Sequence, residues 1–462
     1  MIDLTTGPTF RNMLLFSLPI MLQGSFQIAY NLVDRFWVGK LGKEALAAVS
    51  VGFPVMFFMI SLVIGIAIGA GIIIAQYRGA MERELVSRTA RNFIAFGVLA
   101  SLVISAAMIF FVQDVLSLLD TPREILYPAT LYLMWIFSGL IFFFIYNGAT
   151  GIYRGLGDSI TPVKVAAFST VLNIGLDPVF IFGLGPVPAM GVEGAGIATM
   201  LANAVGAAVI FGLLAREKEW LDLSLANFRF DRRIIWDILR LGLPSSATMV
   251  MISFSGMVIM YFVNRIGTAA IAAYGIGFTL DSLLMMPAQS FGMAMSTIAG
   301  QNIGAGKWDR VGRFLRDTLM VSAGIALVVG TFLVVSTPWI TRIFQPDPVD
   351  YDEVFPLVQI YVQIMLLRYV TMSMFFPING TIRGAGDAMA AMVQVILTQL
   401  IIRIPVVMLL TPFLHFAGVA WALALSTVGG LTIAAVYYRT GRWKQRALIV
   451  QHLVGMEIPS VD

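Results

Sequence analysis

The chain alternates long apolar runs with short polar connections, and the runs have membrane length. Reading by run and breaker, spans fall near 11–37, 46–76, 88–112, 125–152, 160–184, 191–215, 233–264, 270–300, 312–337, 354–380, 387–412 and 416–438. A helix needs about 20 residues to cross a hydrocarbon core of about 30 Å, and each run supplies them. Twelve is even, so both termini share a side. Lysine and arginine say which: one set of loops carries 22 of them and the opposite set, with Lys40, Lys43, Arg123, Arg265 and Arg342, carries 5. The positive-inside rule puts the crowded set, and both termini, in the cytoplasm.

The longest polar connection, roughly Arg216 to Arg233, lies at the middle of the chain and invites a search for duplication. Leu41-Gly42-Lys43-Glu44-Ala45-Leu46-Ala47-Ala48 recurs as Ile266-Gly267-Thr268-Ala269-Ala270-Ile271-Ala272-Ala273, 225 residues on, and Pro19 falls on Pro244. Arg154-Gly155-Leu156-Gly157-Asp158 recurs as Arg383-Gly384-Ala385-Gly386-Asp387, 229 residues on. Each half holds six spans, so the repeats are parallel, one of the layouts of secondary transporters. The expected fold is an all-α membrane protein of two six-helix bundles. The expected divisions are an N-terminal lobe over 1–215, a cytoplasmic linker over 216–232, a C-terminal lobe over 233–439 and a cytoplasmic tail over 440–462.

Composition agrees and removes alternatives. Of 462 residues, 58% are hydrophobic and 12% charged, about half the charge of a soluble domain. The chain has no cysteine, and its two histidines, His415 and His452, sit at a helix end and in the tail. Disulfides and thiolate metal sites are thereby excluded, and a membrane-embedded enzyme, which would need a histidine, cysteine or serine constellation at membrane depth, is the third and most distant reading. No Gly-Lys-Ser/Thr phosphate loop is present, which excludes ATP hydrolysis on this chain. The net charge of +4 is topological rather than a nucleic-acid signal. Met1-Ile2-Asp3-Leu4 lacks the basic start of a signal peptide, so the first apolar run is expected to be a permanent span.

Ionisable groups inside spans cost roughly 2.5–3.5 kcal/mol at a helix centre and need a reason. Gln27, Tyr30, Asn31 and Asp34 recur at i, i+3, i+4 and i+7, a polar stripe on an apolar helix. In Asn173-Ile174-Gly175-Leu176-Asp177-Pro178, Asn173 and Asp177 share a face, and Pro178 cannot donate to the carbonyl of Ile174. Carboxylate, amide oxygen and freed carbonyl suit a hard cation stripped of water, and equally a proton on a desolvated carboxylate. Tyr132, Asn147 and Thr199 are polar groups that gain meaning as partners of these acids. The second half offers Asp281, Arg368 and Arg403; Asp281 and Arg368 are expected to pair or to contact substrate. At the repeat offsets Asp34 falls on Ile259 and Asp177 near Pro405. An ion or proton site is therefore expected in the first lobe alone.

These motifs together resemble the multidrug and toxic compound extrusion (MATE) exporters. The resemblance rests on Asp34 followed by Val38-Gly39-Lys40-Leu41-Gly42, on Arg154 to Asp158, on Asn173 to Gly183 and on Gly191 to Gly196, and covers the chain up to about Arg439. It implies a V-shaped fold and export of organic, often cationic or amphiphilic, compounds in exchange for sodium ions or protons. In DinF-like members the coupling site is built from acids matching Asp34 and Asp177, with Asn173 and a threonine similar to Thr199. These four would be the ligands if the ion is sodium, while Gln27, Tyr30, Tyr132 and Asn147 match polar positions around the site. NorM-like members instead carry acids on the seventh and tenth spans, where this chain has only Asp237, near a helix end, and Arg368.

The expected activity is antiport by alternating access, with no cofactor beyond a transported Na+ or H+. The expected partners are small organic molecules and the lipids of the cell membrane around a monomer. A flippase of lipids or lipid-linked oligosaccharides is the nearest rival; its phosphate headgroups call for more cationic walls than Arg368 and Arg403 supply. A channel would need a repeated filter loop, which is lacking.

Overall fold

The structure is a computed structural model that describes residues 1–224 and 228–447. Residues 225–227 of the expected linker and 448–462 of the expected tail, His452 included, lie outside the described residues. The helices are α1 (Thr9–Gly39), α2 (Lys43–Gly79), α3 (Arg83–Leu118), α4 (Arg123–Ser138), α5 (Leu140–Gly155), α6 (Ile160–Phe182) and α7 (Gly191–Arg216). They continue as α8 (Arg232–Asn264), α9 (Thr268–Gly304), α10 (Trp308–Phe344), α11 (Pro348–Gly384), α12 (Ala388–Ile396), a π-helical segment (Leu397–Ile402) and α13 (Arg403–Arg439). Extended pairing among the described residues is a single bridge, Leu184 to Val187. Helices alone satisfy their backbone internally, which hydrocarbon demands.

Ten helical stretches are long and apolar enough to cross a membrane, and α4 with α5, bent by 44°, makes an eleventh. The last stretch, Ala388–Arg439, has 52 residues and would reach about 78 Å if straight, more than twice the hydrocarbon core. It is a hairpin. His415 has φ 49 and ψ −124, which no helix residue adopts. On either side of it the partners recede in step: Gly418 packs on the Leu410 carbonyl, Arg403 Nε donates to Ser426 Oγ at 3.1 Å, and Gly430 packs on Thr398. The hairpin brings the described residues to twelve crossing segments.

The duplication seen in the sequence recurs as matched packing inside each half. A Cβ on Gly151 would meet the Ala67 carbonyl, and one on Gly380 the Gly292 carbonyl, the same pair one repeat on. Gly206 lies against Ser169 as Gly430 lies against Thr398. Small residues let membrane helices approach closely where no hydrophobic force between them is available.

The chain divides into two compact units. The first joins Met1–Ile2 to Leu18–Ser246; the second joins Asp3–Ser17 to the chain from Ala247 on. Apart from the break after Ile2, the boundaries fall inside α1 and α8, beside the paired prolines Pro19 and Pro244. The first core gathers Val38, Ala48, Val112, Leu133, Phe137 and Ala195. The second gathers Ile259, Leu280, Val358, Met365, Val407 and Phe416. Phe110, Phe332, Ile343 and Phe413 stay exposed, as side chains facing lipid tails do.

Candidate functional site

The first unit builds its site from four helices. Glycines bring α7 close to α6 and to α4: a Cβ on Gly194 would overlap the Phe180 carbonyl of α6, and one on Gly196 would press on Trp135 and the Tyr132 carbonyl of α4. Close approach at Gly196 seats Thr199, one turn further along α7, within reach of α1. Tyr30 of α1 donates its hydroxyl proton to Thr199 Oγ1 at 3.0 Å. On α6, Asn173 Nδ2 donates to Asp177 Oδ1 at 3.1 Å, as their i, i+4 spacing predicts. Both side chains are fully buried.

Three oxygens of this group lack a donor. Asp34 Oδ1, Asn173 Oδ1 and Asp177 Oδ2 are buried with no hydrogen-bond partner. Asp34 and Asp177 lie within electrostatic reach of each other and of the Tyr30 and Tyr132 hydroxyls. Arg35 is exposed and makes no ion pair with Asp34 among the described residues. Asp34 is therefore not spent on a surface salt bridge.

Other sequence candidates are placed differently. Gln27 and Asn31, the remaining members of the α1 stripe, are exposed while Tyr30 and Asp34 are half-buried. Asn147 Nδ2 donates to the Phe143 carbonyl of its own helix at 2.9 Å. Tyr132 is buried on α4. Two contacts escape the sequence reading: Trp135 Nε1 donates to Glu193 at 2.8 Å, and Arg154 reaches Gln23 at 2.7 Å. An indole and an acid in facing spans, and an arginine at the end of a helix, were the available signals.

In the second unit Asp281 and Arg368 pair at 2.5 Å. Asp281 also accepts from the Tyr361 hydroxyl at 3.0 Å and the Tyr369 hydroxyl at 2.7 Å. Its charge is fully answered, unlike that of the first-unit acids. Both tyrosines went unread in the sequence, although Tyr361, Arg368 and Tyr369 recur at i, i+7 and i+8 on one helix face. Among the described residues no group of three His, Cys, Asp or Glu side chains is placed to hold a metal. The donors available in the first unit are hard oxygens, which suit sodium or a proton.

Comparisons with known proteins bear on the fold and the family. A family model described as MatE matches residues 19–179 and 244–409, one segment in each repeat. The chain is 31% identical over 456 residues to "Probable multidrug resistance protein YpnP" of Bacillus subtilis, covering 97% of this chain and 99% of that one. It is 28% identical over 378 residues to the "FAD transporter" of Shewanella oneidensis, covering 79% and 80%. Among solved structures, a MATE protein in complex with MaD5 has a TM-score of 0.88 at 23% identity, covering 95% of this chain and 97% of that one. The outward-facing form of a MATE family multidrug resistance transporter has a TM-score of 0.86 at 24% identity, covering 95% and 96%. At such identities the structures speak for the fold.

Proposed function

The chain belongs to the MatE family of membrane transporters, and from that premise we propose that it is a multidrug antiporter of the cell membrane. In this reading it exports organic amphiphiles or cations, both termini are cytoplasmic, and the coupling ion, sodium or proton, binds at Asp34 and Asp177. It acts as a transporter and not as an enzyme, within the DinF-like branch. Relatives named as multidrug resistance proteins support the cargo class.

The observation that carries the reading is the set of orphaned acceptors. Asp34 Oδ1, Asn173 Oδ1 and Asp177 Oδ2 are all buried without a donor. Each unsatisfied buried acceptor costs about 1–3 kcal/mol, and more if charged. A proton answers one carboxylate; a sodium ion gathers both carboxylates, the Asn173 oxygen and the Thr199 hydroxyl. The cation also removes the repulsion between Asp34 and Asp177. Because Tyr30 ties α1 to α7 at this site, occupancy there changes how α1 packs. An ion that binds two conformations with different affinity shifts their populations by that difference.

The test is efflux of a fluorescent cationic dye from proteoliposomes under separately imposed sodium and proton gradients. Wild type is expected to follow one gradient, and Asp34→Asn to follow neither while remaining folded in the bilayer. Full gradient-driven export by Asp34→Asn would sink the mechanism. A wild-type protein that moves lipid analogues and no dye would favour the flippase instead.

A further inference from the structure

The repeat lays a second polar centre over the first, with its charge reversed. At the repeat offsets Tyr132 falls on Tyr361, Tyr30 on Ser255, and Ile174, in the coupling segment of α6, on Arg403. Arg403 is 4% exposed. Its Nε donates to Ser426 Oγ at 3.1 Å and its Nη1 to Ser255 Oγ at 3.0 Å, both neutral hydroxyls. Its Nη2 is buried with no hydrogen-bond partner, and no carboxylate forms an ion pair with it among the described residues.

The backbone is shaped around this arginine. The segment Leu397–Ile402, directly before it, is π-helical, and such bulges often mark functional sites. The Gln399 carbonyl within this segment accepts from Ser255 Oγ at 2.9 Å, so the same serine contacts both bulge and guanidinium. Arg368 and Asp281 lie within electrostatic reach of Arg403. Asp281 is already committed to Arg368 and two tyrosines. Two guanidinium groups against one carboxylate leave one positive charge over, and arginine cannot shed its proton to escape. Arg368 Nε is also without a partner. Half-buried Tyr274, within reach of Arg403, and Arg368 bring the cluster to the surface of the unit.

We propose that Arg403, with Arg368 beside it, is a receptor for an oxyanion, a carboxylate or phosphate group carried by the exported compound. The fork of an arginine with a free Nη2 suits two-oxygen anions. The cargo class then extends to zwitterionic and acidic amphiphiles. The inference rests on the transporter reading and adds the chemistry of the cargo; the acids of the first unit keep the coupling ion.

The test is calorimetric titration of the purified full chain in neutral detergent with two naphthyl amphiphiles of the same body, one ending in a carboxylate and one in a primary amine. No gradient is imposed, so the result is independent of whether Asp34 and Asp177 couple transport. Wild type is expected to bind the acid about tenfold more tightly than the amine, a charge-assisted bond's share. Arg403→Gln should lose about that factor for the acid and leave the amine unchanged, and Arg403→Lys should fall between. If Arg403→Gln does not fold, Arg403→Lys carries the test through its loss of acid affinity alone. Equal binding of acid and amine by wild type, or equal loss of both in a folded variant, would overturn the proposal. So would binding of inorganic phosphate or chloride that the acid does not displace, since the site would then serve a free anion.

Discussion

Tyr30 of α1 and Thr199 of α7, 169 positions apart in the chain, meet hydroxyl to hydroxyl at 3.0 Å. The bond holds the middle of α1 against the helix pair that carries Asp177. Tyr30→Phe and Thr199→Val each remove one end of it. In a double-mutant cycle on thermal stability the pair is expected to couple by about 1 kcal/mol. Strict additivity of the two single changes would show that the hydroxyls do not act together.

Asp177→Asn keeps shape and removes charge. Stability without ions is expected to hold or rise by about 1 kcal/mol, because a buried charge no longer has to be desolvated. The rise in Tm that wild type gains from its coupling ion by linkage should vanish. The measurement is a melting curve in detergent with and without sodium at several pH values. Retention of an ion-dependent Tm in Asp177→Asn would place the ion elsewhere.

Asp281 is a structural anchor by the same reasoning turned around. Three donors converge on it, so Asp281→Asn strands the Arg368 charge and should cost about 3–5 kcal/mol. Tyr369→Phe removes one neutral donor and should cost about 1–2 kcal/mol. Thermal unfolding of both variants gives the order; equal damage would show that the charge is not what the cluster stabilises.

The repeated glycine contacts make a paired packing test. Gly151→Ala would set a methyl 2.6 Å from the Ala67 carbonyl, and Gly380→Ala crowds Gly292 in the equivalent place. Each is expected to lose about 1–3 kcal/mol by overpacking. Gly212 of α7 has nothing within 4 Å of the same position, so Gly212→Ala should be neutral or gain up to about 1 kcal/mol from helix propensity. Tm values of the three variants decide it.

Much of the fold was legible because hydrocarbon imposes a length on each helix and leaves little choice of element. The twelve runs, the break between 412 and 416 and the doubling of the chain were all read directly. The bend between α4 and α5 was not, since Gly139 sits inside an uninterrupted apolar run. At the site, the Asn173–Asp177 bond followed from spacing on one helix. The fate of the α1 stripe did not: Tyr30 and Asp34 turn inward while Gln27 and Asn31 stay exposed.

By itself the sequence determined the number of crossings, their sidedness as an expectation, the repeat, and the two acids that lack counterparts in the second half. Only the tertiary structure decided which partners those groups meet. It set Tyr30 on Thr199, left three acceptors orphaned, closed two tyrosines and Arg368 around Asp281, and left Arg403 facing two serines. The reason is that periodicity reports where a residue lies on its own helix. Which neighbour it faces depends on how each helix is rotated and how closely it approaches the next, and small residues such as Gly194 and Gly196 set that only once the helices are packed.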